Sequence, residues 1–239
     1  MMTELKVPII GYMNSPYREK FGITRQPNLV QVESYIEMVE PYNDLLAFEG
    51  IDEFSHLWLI WQFHDNKNQQ DSHKFRPQVR PPRLGGNKKI GVFATRSMYR
   101  PAPMGLSVVQ LKEVKKVCKS VRVYVTGSDL LNVTPILDIK PYIQYSDAVV
   151  DAKSGYAQHE PERMMVIWSE SAEQQKQELI QAQSLDDRIV SELEQVLSLD
   201  PRPAYQNDAG RIYKMNFAHL DVSFSVGLGN ITIVDLVPL

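Results

Sequence analysis

The chain has 239 residues, 43% of them hydrophobic, and a formal charge of −3, which is material for one large domain or for one domain with a small appendage. No uninterrupted apolar stretch reaches the length of a transmembrane helix, and the opening residues, MMTELKVPIIGYM, lack the basic region and long apolar core of a secretory signal. The single cysteine, Cys118, rules out an internal disulfide and fits a reducing cytoplasm, and the five histidines show no metal spacing, so no structural metal is expected.

In chain order, Val7 to Met13 reads as a short strand ending in the turn Asn14-Ser15-Pro16-Tyr17. Lys20 to Pro27 is a polar loop carrying Arg25 and Gln26. Val30 to Val39 alternates apolar and polar side chains, as a half-buried strand does. Pro41 to Ile51, with Leu45, Leu46 and Phe48, predicts a turn of helix. Leu57 to Phe63 is apolar at nearly every position and predicts a strand buried on both faces. It ends at His64-Asp65, where the histidine is either a ligand contact or a solvent-edge cap.

The stretch from Arg80 to Ser107, RPPRLGGNKKIGVFATRSMYRPAPMGLS, carries the strongest local signal. Prolines and Gly85-Gly86 set its path, Ile90 to Thr95 predicts a buried strand, and a second strand resumes at Ser107 to Leu111. Arg96 and Arg100 stand between them on a proline-stiffened backbone. No carboxylate occurs between Asp71 and Glu113, while Lys74, Arg76, Arg80, Arg83, Lys88, Lys89, Arg96, Arg100 and Lys112 all fall there. A local cationic field on a slightly acidic chain points to a polyanionic partner. Phe75, Phe93 and Tyr99 are interleaved, which suits stacking on unpaired bases. The plainer alternative is a solvated basic loop.

Val121 to Thr126 alternates strictly and predicts a strand. After the turn at Gly127-Ser128-Asp129, two aspartates, Asp129 and Asp138, read as buried and form either a ligand loop or ordinary turns. Many short strands and no long helix up to Tyr142 predict a closed or nearly closed β structure. Composition shifts in the linker Ala152 to Arg163, which divides the chain near residue 155. Beyond it come a strand at Met164 to Trp168 and helices at Ala172 to Ala182 and Leu185 to Leu199, the second capped by Ser184 with Ile189, Leu193, Val196 and Leu197 buried. Asp200-Pro201-Arg202-Pro203-Ala204-Tyr205 stops that helix, and three strands, Arg211 to Phe217, Leu220 to Val226 and Asn230 to Val237, close a small α+β unit. No GxxxxGK[ST], GxGxxG or GxSxG motif occurs.

GVFATRS (Gly91 to Ser97), RPxPxGLS (Arg100 to Ser107), DLxxxTPxxDIKPY (Asp129 to Tyr142) and DPRPAY (Asp200 to Tyr205), with FSHLW, SPY and RQP upstream, together resemble the TrmO family over nearly the whole chain. The resemblance implies an S-adenosylmethionine-dependent tRNA methyltransferase acting on threonylcarbamoyl-adenosine beside the anticodon. It implies a mainly β chain: a single-sheeted β-barrel over residues 1–155, a small α+β domain over 156–239, and a homodimer. By that resemblance the cofactor contacts Arg25, Gln26, Pro27, His64, Asp65, Arg96, Leu106 and the loop Asp129, Leu130, Leu131, Asn132. Lys88, Lys89, Arg100, Arg202 and Tyr205 are the expected tRNA contacts, Arg202 projecting from a segment stiffened by two prolines. The chain departs from the family at Ala102, where Asn is usual, and at Asn132-Val133, where Asp-Gly is usual. Valine resists a left-handed backbone, so a different turn is expected there.

The attacking nitrogen of such a substrate must lose a proton, and Asp65, His64 and Asp129 are the candidate bases. A non-catalytic RNA-binding barrel is the alternative, and affinity for S-adenosylmethionine separates the two.

Overall fold

The computed structural model describes residues 5–66, 75–81, 84–85, 87–202, 210–227 and 229–239. Six strands form its first half: β1 (Gly11–Asn14), β2 (Glu33–Met38), β3 (His56–Gln62), β6 (Met104–Val117), β7 (Ser120–Thr126) and β8 (Pro135–Pro141). They close into an antiparallel barrel in the order β1-β2-β7-β6-β3-β8, with β8 pairing back onto β1. Two further strands among the described residues, β4 (Gln78–Val79) and β5 (Ile90–Gly91), form a separate ribbon.

The alternation in sequence sets which side of the barrel each residue takes. In β7, Val121, Val123 and Val125 are fully buried, each contributing about 1.5–3 kcal/mol of transfer free energy. Between them Arg122 and Tyr124 face outward, where Arg122 Nε meets Glu37 Oε2 at 2.7 Å. Met13, Ile36, Leu57, Leu59, Val109 and Ile136 pack with them in the barrel core.

The second half is a four-stranded sheet in the order β10-β11-β12-β9, built from β9 (Met165–Trp168), β10 (Ile212–Phe217), β11 (Leu220–Val226) and β12 (Asn230–Pro238). β9 runs parallel to β12 and the other pairs are antiparallel. After a single helical turn, α1 (Gln144–Asp147), the helices α2 (Glu170–Gln181) and α3 (Asp187–Ser198) pack beside this sheet. Its core also takes Tyr17, Val30 and Val32 from the chain between β1 and β2. Tyr17 meets Phe217 edge-on at 5.9 Å between ring centroids, and the Glu33 amide donates to buried Glu192 Oε1 at 2.9 Å. The barrel with its sheet-and-helix appendage is the architecture expected from the sequence.

Several elements differ from their sequence reading. The first strand is only Gly11–Asn14, not Val7 to Met13. β3 is buried on one face, because a closed barrel has a single interior: Leu57, Leu59 and Trp61 point in, while Trp58 and Ile60 stay half-buried outside. Trp58 there donates to Asp147 Oδ2 at 2.8 Å, which satisfies its indole. Ile90 to Thr95 is not one strand; β5 stops at Gly91 and Val92–Ala94 turns as a 3₁₀ helix with only Val92 buried. α3 is capped by Asp186, whose carboxylate accepts from the Ile189 amide, and not by Ser184. Asp138 is half-exposed and pairs with Lys140 at 2.8 Å, so it is no buried ligand.

Candidate active site

A cavity of about 590 Å³ opens at one end of the barrel. Its wall is gathered from five stretches far apart in sequence: the loop before β2, the end of β3, the Arg96 to Ala102 loop, the start of β6 and the loop after β7. One backbone contact explains how the first and last of these meet. Asn28 N donates to Gly127 O at 2.8 Å, and a Cβ on Gly127 would fall 2.2 Å from Asn28 Oδ1. Gly127 also has φ +80°, so glycine is required there twice over.

Of the predicted cofactor contacts, Arg25, Gln26, His64 and Asp65 line the cavity. So do Arg96, Leu106, Asp129 and Leu131. Three others do not. Leu130 is fully buried in the barrel core, Pro27 is not in the wall, and Asn132 is spent on structure, its Oδ1 accepting from the Ser15 amide at 3.1 Å. Arg100 lines the cavity and donates to Thr95 O at 3.1 Å. Lys88 and Lys89 are exposed between β4 and β5, outside the wall. Arg202 does not project: its guanidinium folds back onto Asp200 with two 2.8 Å contacts, and its carbonyl accepts from Arg25 Nη2 at 3.1 Å. The charge of Asp200, two residues earlier, holds the side chain against its own segment. Tyr205 lies outside the described residues.

The three candidate bases are held differently. Asp65 is paired with Lys20, at 3.3 Å through its carboxylate and also through its backbone carbonyl. His64 stands at the rim, where partial desolvation holds its pKa below the usual histidine value, against the pull of Asp65. Asp129 sits deeper. Ser107 Oγ donates to its Oδ1 at 2.6 Å, and burial pushes its pKa up to about 6, with the Ser107 bond and the Arg96 charge pulling the other way. A carboxylate tuned to that range can accept a proton near neutral pH.

The aromatic wall was missed from sequence. Trp58, Trp61 and Phe63 line the cavity, and Trp61 and Phe63 stand edge to face at 4.4 Å. Their signal was an apolar run, and no apolar run distinguishes a core face from a ligand wall. A register shift between Ile60 and Trp61 in the β3–β8 pairing re-aims the strand end, as bulges beside sites do. The Asn132-Val133 turn also corrects the sequence reading: Val133 adopts φ +57°, so the left-handed turn is kept in spite of its β-branched side chain. The Val133 amide bonds to Met13 O at 2.8 Å and the Thr134 amide to Leu131 O at 3.2 Å, which holds that backbone in place.

A model of the tRNA-methyltransferase O N-terminal domain matches residues 12–148, and one of the TrmO C-terminal domain matches residues 161–239. The chain belongs to the TrmO family. It is 40% identical to the Escherichia coli protein named tRNA (adenine(37)-N6)-methyltransferase, over 94% of each chain. It is 44% identical, over 89% of each, to a Pseudomonas aeruginosa protein, RcsF, provisionally named an S-adenosylmethionine-dependent methyltransferase. The crystal structure of TrmO from Pseudomonas aeruginosa superposes with a TM-score of 0.79 at 34% identity, covering 99% of both chains. The cavity described above therefore lies within the part of the chain that matches the TrmO N-terminal domain, and the four-stranded sheet within the part that matches the TrmO C-terminal domain.

Proposed function

We propose that this chain is an S-adenosylmethionine-dependent tRNA methyltransferase that methylates the exocyclic nitrogen of threonylcarbamoyl-adenosine next to the anticodon. The observation that carries the reading is a single cavity combining a buried carboxylate near pKa 6, an arginine and an aromatic wall. The names of the Escherichia coli and Pseudomonas aeruginosa relatives support the cofactor, the tRNA substrate and the adenine position.

The residues present fit the cofactor. A cavity of about 590 Å³ is within the range of small-molecule sites. Arg96, oriented by a 2.6 Å bond to Gln26 Oε1, would hold the amino-acid carboxylate as a charge-assisted partner. Trp61 and Phe63 offer π-faces to a positively charged sulfonium. Bound there, S-adenosylmethionine supplies a methyl group already activated by its sulfonium. The chain has only to hold the acceptor nitrogen in line and receive its proton. Among the three candidates, Asp129 is the base: it lines the cavity, burial raises its pKa, and Asp65 is tied to Lys20. Asp129 would take up the N–H proton that the acceptor nitrogen gives up on methylation.

Residues 1–155 and 156–239 are proposed as the two domains, and the working form as a cytoplasmic homodimer. The exposed Cys118 thiol suits a reducing compartment. Calorimetric titration of S-adenosylmethionine tests the cofactor, with Arg96→Ala expected to lose at least tenfold in affinity. Mass spectrometry of tRNA incubated with and without the threonylcarbamoyl group tests the substrate. RNA binding with no affinity for S-adenosylmethionine would replace this reading with a non-catalytic RNA-binding barrel.

A further inference from the structure

We propose that Phe75 and Phe93 form a stacking platform for an unpaired nucleobase that neighbours the methylated one; the inference rests on the tRNA reading above. The two rings stack with centroids 6.1 Å apart and planes 27° from parallel, yet they are 57% and 73% exposed. An aromatic pair ordered against itself and left open to water has hydrophobic area still to cover.

The local backbone presents the pair deliberately. Val92, buried to 1%, anchors the 3₁₀ turn, and its amide donates to Pro77 O at 2.9 Å, which ties the Phe75 and Phe93 segments together beside the β4–β5 ribbon. Thr95 closes the turn onto Val92 O through its amide at 3.1 Å and its hydroxyl at 2.8 Å. Phe93 is thus lifted outward by the same turn that pins its neighbour inward.

Charge identifies the occupant. Arg76, Arg80, Lys88, Lys89 and Arg96 are all exposed on the same segment as the pair, in a stretch with no carboxylate between Asp71 and Glu113. Arg80 directly follows Val79 and Lys89 directly precedes Ile90, the last ribbon pair, so two cations flank the same end of the ribbon. Like charges placed across a strand pair are destabilising without an anion between them. Phosphates on either side of a stacked base supply that anion, whereas a second protein surface would need a run of acids.

Geometry separates this base from the reacting one. Neither phenylalanine lines the cavity, but Arg96, three residues past Phe93, does. Enzymes that modify a base withdraw it from its stack, which leaves the adjacent base without a neighbour. An aromatic pair on the segment that leads into Arg96 and the cavity replaces the lost partner, and stacking of this kind is indifferent to base identity.

The test uses the full chain and an anticodon stem-loop RNA, with affinity measured by fluorescence anisotropy across a salt series. Phe93→Ala is expected to weaken binding about tenfold with the salt slope and the calorimetric affinity for S-adenosylmethionine unchanged. Phe93→Tyr should retain binding, and Phe93→Leu should be as weak as alanine, since leucine keeps apolar area without a π-face. Lys88→Gln with Lys89→Gln should behave in the opposite way, flattening the slope by roughly 1.4 at about 0.7 per phosphate contact. Wild-type affinity in Phe93→Ala, or full recovery in Phe93→Leu, overturns the platform. So does loss of binding together with dissociation of an oligomer in sedimentation, which would make the pair a contact between copies. If the unmutated protein methylates tRNA while Phe93→Ala binds normally, the platform falls and the function stands; if the unmutated protein binds neither RNA nor cofactor, both fall.

Discussion

Ser107 and Asp129 meet at 2.6 Å, the hydroxyl donating to Oδ1 while it accepts a 3.0 Å bond from the Trp61 indole. Three elements therefore converge on one carboxyl: β3 through Trp61, β6 through Ser107 and the loop after β7 through Asp129. The chain of bonds orients the carboxyl at the cavity wall.

Asp129 makes the first prediction, through pH. Its folded pKa of about 6 lies above the ordinary carboxylate value near 4, so between those limits the folded chain holds a proton that the unfolded chain has lost. Stability should accordingly fall as pH rises from about 4 to 6, by up to about 2–3 kcal/mol. Asp129→Asn should raise the melting temperature at pH 7, change it little at pH 4.5 and abolish methyl transfer. The wild-type rate should decline as pH drops through about 6, where the base takes up its proton. Melting curves whose Asp129→Asn difference is the same at both pH values would refute the shifted carboxyl.

Gly105 makes the second. It lies opposite Trp61 in the β3–β6 register, and a Cβ there would fall 2.2 Å from the indole ring. Gly105→Ala must displace Trp61, breaking its bond to Ser107 and narrowing the cavity. The expected cost is about 1–3 kcal/mol in stability, as for other overpacked sites, together with a tenfold or greater loss in S-adenosylmethionine affinity by calorimetry. Unchanged cofactor affinity in a folded Gly105→Ala protein would remove Trp61 from the binding wall.

The third concerns Val133. A left-handed backbone at a non-glycine residue costs about 1–2 kcal/mol, and here the side chain is 57% exposed, so little packing offsets it. Val133→Asn should stabilise the protein by about 1 kcal/mol. Val133→Gly should stabilise it less, because glycine loses more conformational freedom on folding. Denaturant melts of the two variants check the order as well as the sign.

Arg202 makes the fourth. With 12% of its side chain exposed and two bonds to Asp200, it is a structural brace at the end of α3. Arg202→Ala should cost about 1.5–3 kcal/mol, the range for hydrogen bonds to charged groups, and leave the salt slope for tRNA binding unchanged. The double variant with Asp200→Ala should be little worse than either single one, as a double-mutant cycle would show. A reduced salt slope in Arg202→Ala would return the guanidinium to the RNA surface.

Much of the barrel was legible because its strands carry period-two alternation; Val121 to Thr126 needs no neighbour to declare its inward face. Turn chemistry was less so. Ser184 and Asp186 are equally good cap residues in sequence, and only the position at which the chain leaves α2 selects Asp186. Arg202 between two prolines reads as a projecting cation, and the acid two residues before it captures it instead.

The sequence by itself determined the family, since motif order is written along the chain and survives without coordinates, and its acid-free basic stretch points to a polyanionic partner for the same reason. It also determined that Arg96, His64 and Asp129 fall in loops or at strand ends, where a barrel gathers side chains. Only the tertiary structure decided which residues meet. Leu130 and Leu131 are adjacent and equally apolar, yet one fills the core and the other faces the cavity. Asp65 and Asp129 are chemically alike, yet one sits half-exposed within 3.3 Å of Lys20 and the other is desolvated beside Ser107. The burial of Asp129, and with it its pKa, depends on side chains from β3 and β6 that only strand pairing brings within hydrogen-bond reach.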